Sequence, residues 1–313
     1  MENELLNLGA MALRKAALNE EAKAYILSNP KLFHVLKKAA DRYIGGETLE
    51  ETIGKVKLQN EKGFKCSIEF MGESTRTEIE ANAARDEFIK ICQEIKQQKL
   101  YSTISLDLSH IGLTVSTDLC RHNLNLICQE AAKGNIEVII SAEDAGRTDA
   151  VLHVYNEIVK VHPNVAITLQ AYLHRTQDDF KEVIKNKGRI RIVKGAFETP
   201  TGLSLPRGEE LDHVYLGYVD KLLSENHLCS IATHDKRIQH EAKALIQQYK
   251  TKSDVYEFES LYGIQYDQLL QLKEEGYSAK LYLVYGKEWY LYLCNRIAEY
   301  PLNLFQALID IVE

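Results

Sequence analysis

The sequence predicts an α/β fold, a closed (β/α)8 barrel of the TIM type, on three observations. Eight short apolar or alternating runs recur from about residue 64 onward. Stretches with apolar residues at helical spacing lie between them. The 313 residues fit one barrel-sized domain or two average ones, and they contain no low-complexity segment and no Pro/Gly-rich linker.

In chain order, residues 1–60 predict an N-terminal helical arm or cap. "LRKAALNEEAKAYIL" and "PKLFHVLKKAADRYI" carry apolar residues three and four apart. Residues 61–313 then predict the barrel. Its strands are "KCSIEF", "STISLDL", "IEVII", "VAITL", "RIRIVK", "LCSIAT", "VYEFE" and "AKLYLVY". Each is short and mostly apolar, as parallel strands covered on both faces are. The expected crossover helices cover 77–98, 119–133, 150–161, 209–224, 239–249, 266–275 and 288–299. "PLNLFQALIDIVE" predicts a C-terminal helix closing the barrel. Eight units over about 240 residues match the size of such a barrel. An open doubly wound sheet is the alternative, but no GxGxxG follows an early strand and no GxxxxGK[ST] occurs.

Bulk properties narrow the function. A net charge of −7, with both signs spread along the chain, excludes broad nucleic-acid binding. No run of eighteen apolar residues predicts a membrane span, and the mixed, acidic N-terminus does not predict a signal peptide. The six cysteines are scattered without a CxxC pair. They predict reduced, buried thiols in a cytoplasmic protein, with no zinc site and no disulfide framework.

Barrel enzymes place their chemistry at the C-terminal ends of the strands. Those ends read "EFMGE", "LDLSH", "SAED", "LQAYLHR", "VKGAF", "ATHD", "FESLYG" and "LVYGKEW". One such group alone is most simply a cap or a solvated charge. Eight polar or aromatic ends together predict a functional rim. "RIRIVKGAF" poses the sharpest question, because it places two arginines in a strand that ends on lysine and glycine. Lys194 fits three roles: a Schiff-base nucleophile, a fixed cation for an anionic ligand, or a partner of a neighbouring carboxylate. Gly195 would let a ligand approach the backbone. Arg191 lies three residues before Lys194, so a regular strand points the two to opposite faces. His234 fits a base, a ligand or a structural role. His240, six residues on, is poorly spaced to share a metal with it.

Taken together, "RIRIVKGAF", "TLQAYLHR", "IATHD", "YEFESLYG" and "LYLVYGKEWYLYLCNRIAE" resemble the motif series of the proline dehydrogenase family, in the family's order. "IEFMGE" and "SAEDAGR" also fit, and the resemblance covers roughly residues 60–306. It implies a barrel with non-covalent FAD at the strand ends. The implied reaction moves a hydride from the ring carbon beside the proline nitrogen to flavin N5, giving the cyclic imine. Carried over residue by residue, Gln170, Arg191, Val193, Lys194, Gly195, Thr233, His234 and Glu299 match cofactor contacts. Ala196, Leu261, Tyr282 and Tyr292 match substrate-lining positions. The implied partners are a proline-like small molecule and a quinone or other electron acceptor; a quinone would bring peripheral membrane contact.

The substrate-carboxylate positions depart from the pattern. Asp107 stands where the family has lysine, Ser141 where it has aspartate, and Asn295–Arg296 where it has two arginines. Phe197 replaces a tyrosine and Glu259 a glutamine. Two charge-assisted contacts to a carboxylate are missing, worth together about 3–6 kcal/mol or roughly 10²–10⁴ in affinity. Arg147 or Lys287 could restore the charge; otherwise Asp107 favours an ammonium over a carboxylate. The resemblance therefore leaves open L-proline, a carboxylate-masked or amine substrate, and a flavin-binding relative without turnover. A barrel lyase using Lys194 as Schiff base is the reading from a different class.

Overall fold

Eight parallel strands close into a barrel in sequence order: β1 (Lys65–Phe70), β2 (Ser102–Leu106), β3 (Val138–Ile140), β4 (Val165–Gln170), β5 (Ile190–Val193), β6 (Cys229–Ala232), β7 (Tyr256–Leu261) and β8 (Ala279–Tyr285). Closure is the β1–β8 ladder, which pairs Lys65 with Lys280 through to Phe70 with Tyr285. The computed structural model describes residues 19–72 and 74–299, with 8, 9, 11–13, 15, 303, 305 and 309. The C-terminal helix expected over 301–313 falls, apart from three of those positions, outside the described residues, as do Glu73 at the first rim and most of the first eighteen residues.

Around the strands pack α1 (Glu20–Ser28), α2 (Pro30–Ala40), α3 (Leu49–Glu61), α4 (Glu78–Gln98), α5 (Thr117–Ala132), α6 (Thr148–Ile158), α7 (Thr176–Val183), α8 (Glu209–Ser224), α9 (Lys236–Tyr249), α10 (Tyr266–Glu274) and α11 (Trp289–Glu299), with a 3-10 turn at Ala145–Arg147. Their starts follow from local chemistry. Thr48 with Glu51, and Thr77 with Glu80, form reciprocal capping boxes. Ser116 caps α5, and the Asp235 carboxylate accepts the first N–H groups of α9. The crossover α7 spans only eight residues, too few for periodicity to reveal it.

Two hydrophobic clusters hold the molecule. The larger joins the barrel strands to the crossover helices and includes Leu49, Ile53 and Val56 of α3. The smaller packs Ala39 and Ala40 of α2, with Tyr43 and Ile44, against Trp289, Leu293 and Ile297 of α11. Phe33 meets Trp289 edge-on at 5.4 Å, and Lys23 bridges to Glu288 at 2.6 Å. The N-terminal helices thus pack on the last crossover helix, beside one rim. All six cysteines are buried and unpaired. Among the described residues no helix is long and apolar enough to cross a membrane.

β5 answers the question its sequence raises. Ile190 and Ile192 join the core shared with the helices, so the alternate residues Arg189 and Arg191 point into the barrel. Arg191 bonds across the interior to Thr168 at 2.8 Å, Ser105 at 3.1 Å, Ser141 at 3.1 Å and Glu259 at 3.0 Å. One layer below, Arg189 reaches Glu137 at 3.0 Å and Glu257 at 3.6 Å. Fully buried Lys280 contacts Glu257 and lies 2.8 Å from Glu259. The interior of this barrel is therefore a layered ion network rather than a purely aliphatic plug.

Candidate active site

A cavity of about 1740 Å³ opens at the C-terminal rim, and every residue matched to a cofactor or substrate position lines it. The strand ends place them. β2 stops at Leu106, so Asp107, expected inside a longer strand, stands in the turn just beyond it. Ser141 follows β3 and Gln170 ends β4; Val193 ends β5, and Lys194, Gly195 and Ala196 follow it. Thr233 and His234 follow β6, Leu261 ends β7, and Tyr282 lies in β8. Tyr292, Asn295, Arg296 and Glu299 come from successive turns of α11, which puts them on one side of the helix.

The inner end is built on carboxylates. Glu69, at the end of β1, accepts hydrogen bonds from Ser141 at 3.0 Å and from the Tyr282 hydroxyl. Asp107 stands within reach of Ser141. Burial pushes the Asp107 carboxyl well above its ordinary range, and Glu69 and Glu143 push it further against the pull of Arg191. Burial also raises Glu69, against the hydrogen bond from Tyr282 and the charge of Arg191. Arg191 lies 5.2 Å from the Tyr282 ring centre and is ion-paired to Glu259 at 3.0 Å. Beside the aligned Asp107 and Arg296, the residues Glu69, Glu259 and Arg191 therefore face the same space. Arg147 does not restore the charge: it bonds Glu143 at 3.2 Å and lies outside the cavity lining, as does the exposed Lys287.

The outer end carries Lys194 and Arg207. Lys194 sits 2.5 Å from Asp212 of α8 and 2.8 Å from Asp235 at the start of α9. Asp235 is held below the usual carboxylate range: burial opposes this, but bonds from Lys194 and from the helix N–H groups outweigh it. Of the three roles considered for Lys194, this doubly paired geometry matches carboxylate partner and fixed cation, not free nucleophile. Gly195 has a φ of +111°, and an added Cβ would lie 2.3 Å from the Tyr172 ring. Backbone conformation and the packed tyrosine already demand glycine, before any ligand is considered. Arg207, from the loop after β5, donates to the Gly195 carbonyl.

His234 accepts a hydrogen bond from the Leu261 backbone N–H at 3.1 Å through Nε2. Burial, with Arg296 nearby, lowers its pKa to about 4. It is a neutral imidazole, with the remaining proton on Nδ1. The Thr233 hydroxyl accepts from the Asp235 N–H at 3.1 Å, and the Gln170 amide donates to the Glu143 carbonyl at 2.9 Å. Arg296 bonds Glu299 and lies 4.9 Å from the Tyr292 ring centre. Burial lifts the Tyr292 hydroxyl to about 12. That hydroxyl and the Arg296 Nε are buried without a hydrogen-bond partner among the described residues. Asn295 lies beside them in the lining.

Sequence reasoning passed over Glu69, Glu143 and Arg207. Glu69 was visible as the one carboxylate near the end of "KCSIEF", and Glu143 as the third residue of "SAED". Arg207 carries no local signal, because only the loop's return brings it to Gly195.

These features suit a large, part-anionic cofactor beside a small substrate. The cavity exceeds the ~300–1,000 Å³ that a drug-sized ligand needs. Its outer rim carries cations and its buried wall carries unpartnered polar atoms.

Comparison with known proteins agrees. A family model described as "Proline dehydrogenase" matches residues 52–300. Proline dehydrogenase 2 of Bacillus subtilis (strain 168) is 32% identical over 266 residues, covering 85% of this chain and 88% of that one. The proline dehydrogenase of Deinococcus radiodurans is 29% identical over 297 residues, covering 93% and 94%. Among solved structures, proline utilization A (PutA) from Bdellovibrio bacteriovorus superposes with a TM-score of 0.82 at 16% identity. That match spans 96% of this chain and 37% of PutA, and at such identity it speaks for the fold.

Proposed function

The chain belongs to the proline dehydrogenase family, and from that membership we propose that it oxidises the C–N bond of L-proline or a proline-like cyclic amine to the imine. Two electrons leave as a hydride from the ring carbon beside nitrogen, and the nitrogen gives up a proton. A flavin is the cofactor general to the family, and when bound it supplies the hydride acceptor. We take it to be FAD, because the cavity has room for a dinucleotide and its outer rim carries Lys194 and Arg207.

In this reading Gln170, Arg191, Val193, Lys194, Gly195, Thr233, His234 and Glu299 hold the cofactor. Asp107, Ser141, Ala196, Leu261, Tyr282, Tyr292, Asn295 and Arg296 enclose the substrate. Ala196 and Leu261 supply apolar wall against the ring. Tyr282 is tied to Glu69 and presents its face to Arg191, so its position is fixed from both sides. Neutral His234 offers Nδ1–H as a donor without adding charge. Glu69 and Asp107, with carboxyls of raised proton affinity, are placed to take the proton that an ammonium must lose before its carbon can release hydride.

The observation that carries the proposal is the convergence of the separate motifs on one rim cavity. The test is an anaerobic absorbance spectrum of the purified, flavin-replete protein before and after excess L-proline or another cyclic amine. Bleaching of the flavin bands is expected. Bound flavin that no cyclic amine bleaches would mark a cofactor-binding relative without turnover. A cofactor-replete preparation that retains no flavin would remove the cofactor assignment.

A further inference from the structure

The charges at the inner end of the cavity are unequally matched. Each cation there already has a carboxylate: Arg191 has Glu259 at 3.0 Å, and Arg296 has Glu299. Lys194, farther out, has two. Glu69 and Asp107 face the same space and have no ion-pair partner within 4.0 Å among the described residues. They stand on adjacent strand ends, flanked by Tyr282 on β8 and Ser141 after β3. Those neighbours supply hydroxyl donors, not charge. If the two acids share one proton, a full negative charge still remains. A carboxylate entering here would meet like charge, with Arg191 already paired and Arg296 keeping only its Nε–H without a partner. An ammonium would meet two acceptors that lack a counter-ion.

We infer that the Glu69–Asp107 pair selects substrate, receiving a cationic nitrogen and excluding a free carboxylate. The substrate class is then a cyclic secondary amine whose neighbouring substituent is uncharged, such as an amide or ester. This rests on the C–N oxidation proposed above and narrows it. Asp107 is the specificity determinant; Glu69, anchored by Tyr282 and Ser141, is its fixed partner.

The test uses the flavin-loaded full chain under anaerobic conditions, with L-prolinamide, pyrrolidine and L-proline as reductants. A calorimetric titration with tetrahydrofuran-2-carboxylate, which has a carboxylate but no amine, gives a readout independent of turnover. L-Prolinamide should bleach the flavin with a second-order rate constant at least about tenfold above that of L-proline, one decade being about 1.4 kcal/mol. Binding of the carboxylate probe should be undetectable in the wild type and appear in Asp107→Lys. Asp107→Lys should also move the preference at least about tenfold towards L-proline. Asp107→Asn, the milder variant, should narrow the preference while the protein keeps its flavin. The inference is overturned if the wild type prefers L-proline and Asp107→Asn leaves that preference unchanged; C–N oxidation then still stands. If no amine bleaches the flavin, the C–N oxidation fails, and the inference then falls only if the wild type binds the carboxylate probe as tightly as Asp107→Lys does.

Discussion

Replacing Lys280 with methionine removes the central cation of the barrel floor while conserving most of its volume. The Lys280 ammonium is fully buried, contacts Glu257, lies 2.8 Å from Glu259 and reaches the Ser230 hydroxyl at 3.4 Å. Without it, Glu257 keeps Lys65 at 3.1 Å and Arg189 at 3.6 Å, and Glu259 keeps Arg191 at 3.0 Å. Neither carboxylate is left bare, so the loss belongs at the low end of the range for breaking a buried pair, about 3 kcal/mol. At roughly 2–4 °C per kcal/mol, the melting temperature should fall by about 6–12 °C. The acid limb should move too. Burial raises the Glu257 carboxyl, but Lys280, Arg189 and Lys65 outweigh it and hold it well below the usual range. A depressed folded pKa gives stability that is complete above the unfolded value of about 4.3 and is lost as pH falls through the folded one. Lys280→Met should therefore begin to lose stability at higher pH than the wild type. Glu257→Gln should cost less in this background than in the wild type, because Lys280 is no longer there to lose its partner. Thermal melts followed by circular dichroism at a fixed scan rate, from pH 3 to 8, measure all three. A single variant within about 1 kcal/mol of wild type, or an unmoved acid limb, would refute the account of the floor as a coupled ion network.

Three further perturbations probe the rim. Gly195→Ala forces a Cβ into a φ of +111° and onto the Tyr172 ring; it should cost about 1–3 kcal/mol and lower the flavin-to-protein ratio, and an unchanged melt and ratio would refute the packing argument. Lys194, held by Asp212 and Asp235, should give no borohydride-trapped adduct with carbonyl compounds in intact-protein mass spectra, whereas trapping would restore the lyase reading. Asp107→Asn relieves a carboxylate whose raised proton affinity opposes folding as pH rises through it. It should raise the melting temperature at pH 7.5 by about 0.5–2 kcal/mol equivalent, with the gain fading at acid pH; destabilisation at pH 7.5 would contradict the placement of Asp107.

Some of this was decided locally, and that part was legible in the sequence. Strands such as "KCSIEF" and "AKLYLVY" coincide with β1 and β8, because short runs bounded by turns report their own ends. The rim motifs were legible for the same reason: each sits immediately after such a run, and barrel topology sends all strand ends to one side. Locality also set the limits. Spacing alone puts Asp107 inside a strand, because "STISLDL" alternates beyond the last ladder pair, Leu106 with Ile140. Spacing could say that Arg191 and Lys194 diverge, but not that one meets Glu259 from β7 and the other Asp212 from α8.

By itself, then, the order of residues determined the succession of strands and helices, the family motifs and the side of the barrel that carries chemistry, since each depends on neighbours within a few residues. Only the closed barrel decided which charges are matched. Glu69 and Asp107 become an uncompensated pair, and Lys280 a buried hub, through contacts across strands far apart in sequence. Coulomb energy in a desolvated interior depends on those through-space distances, which no local pattern encodes.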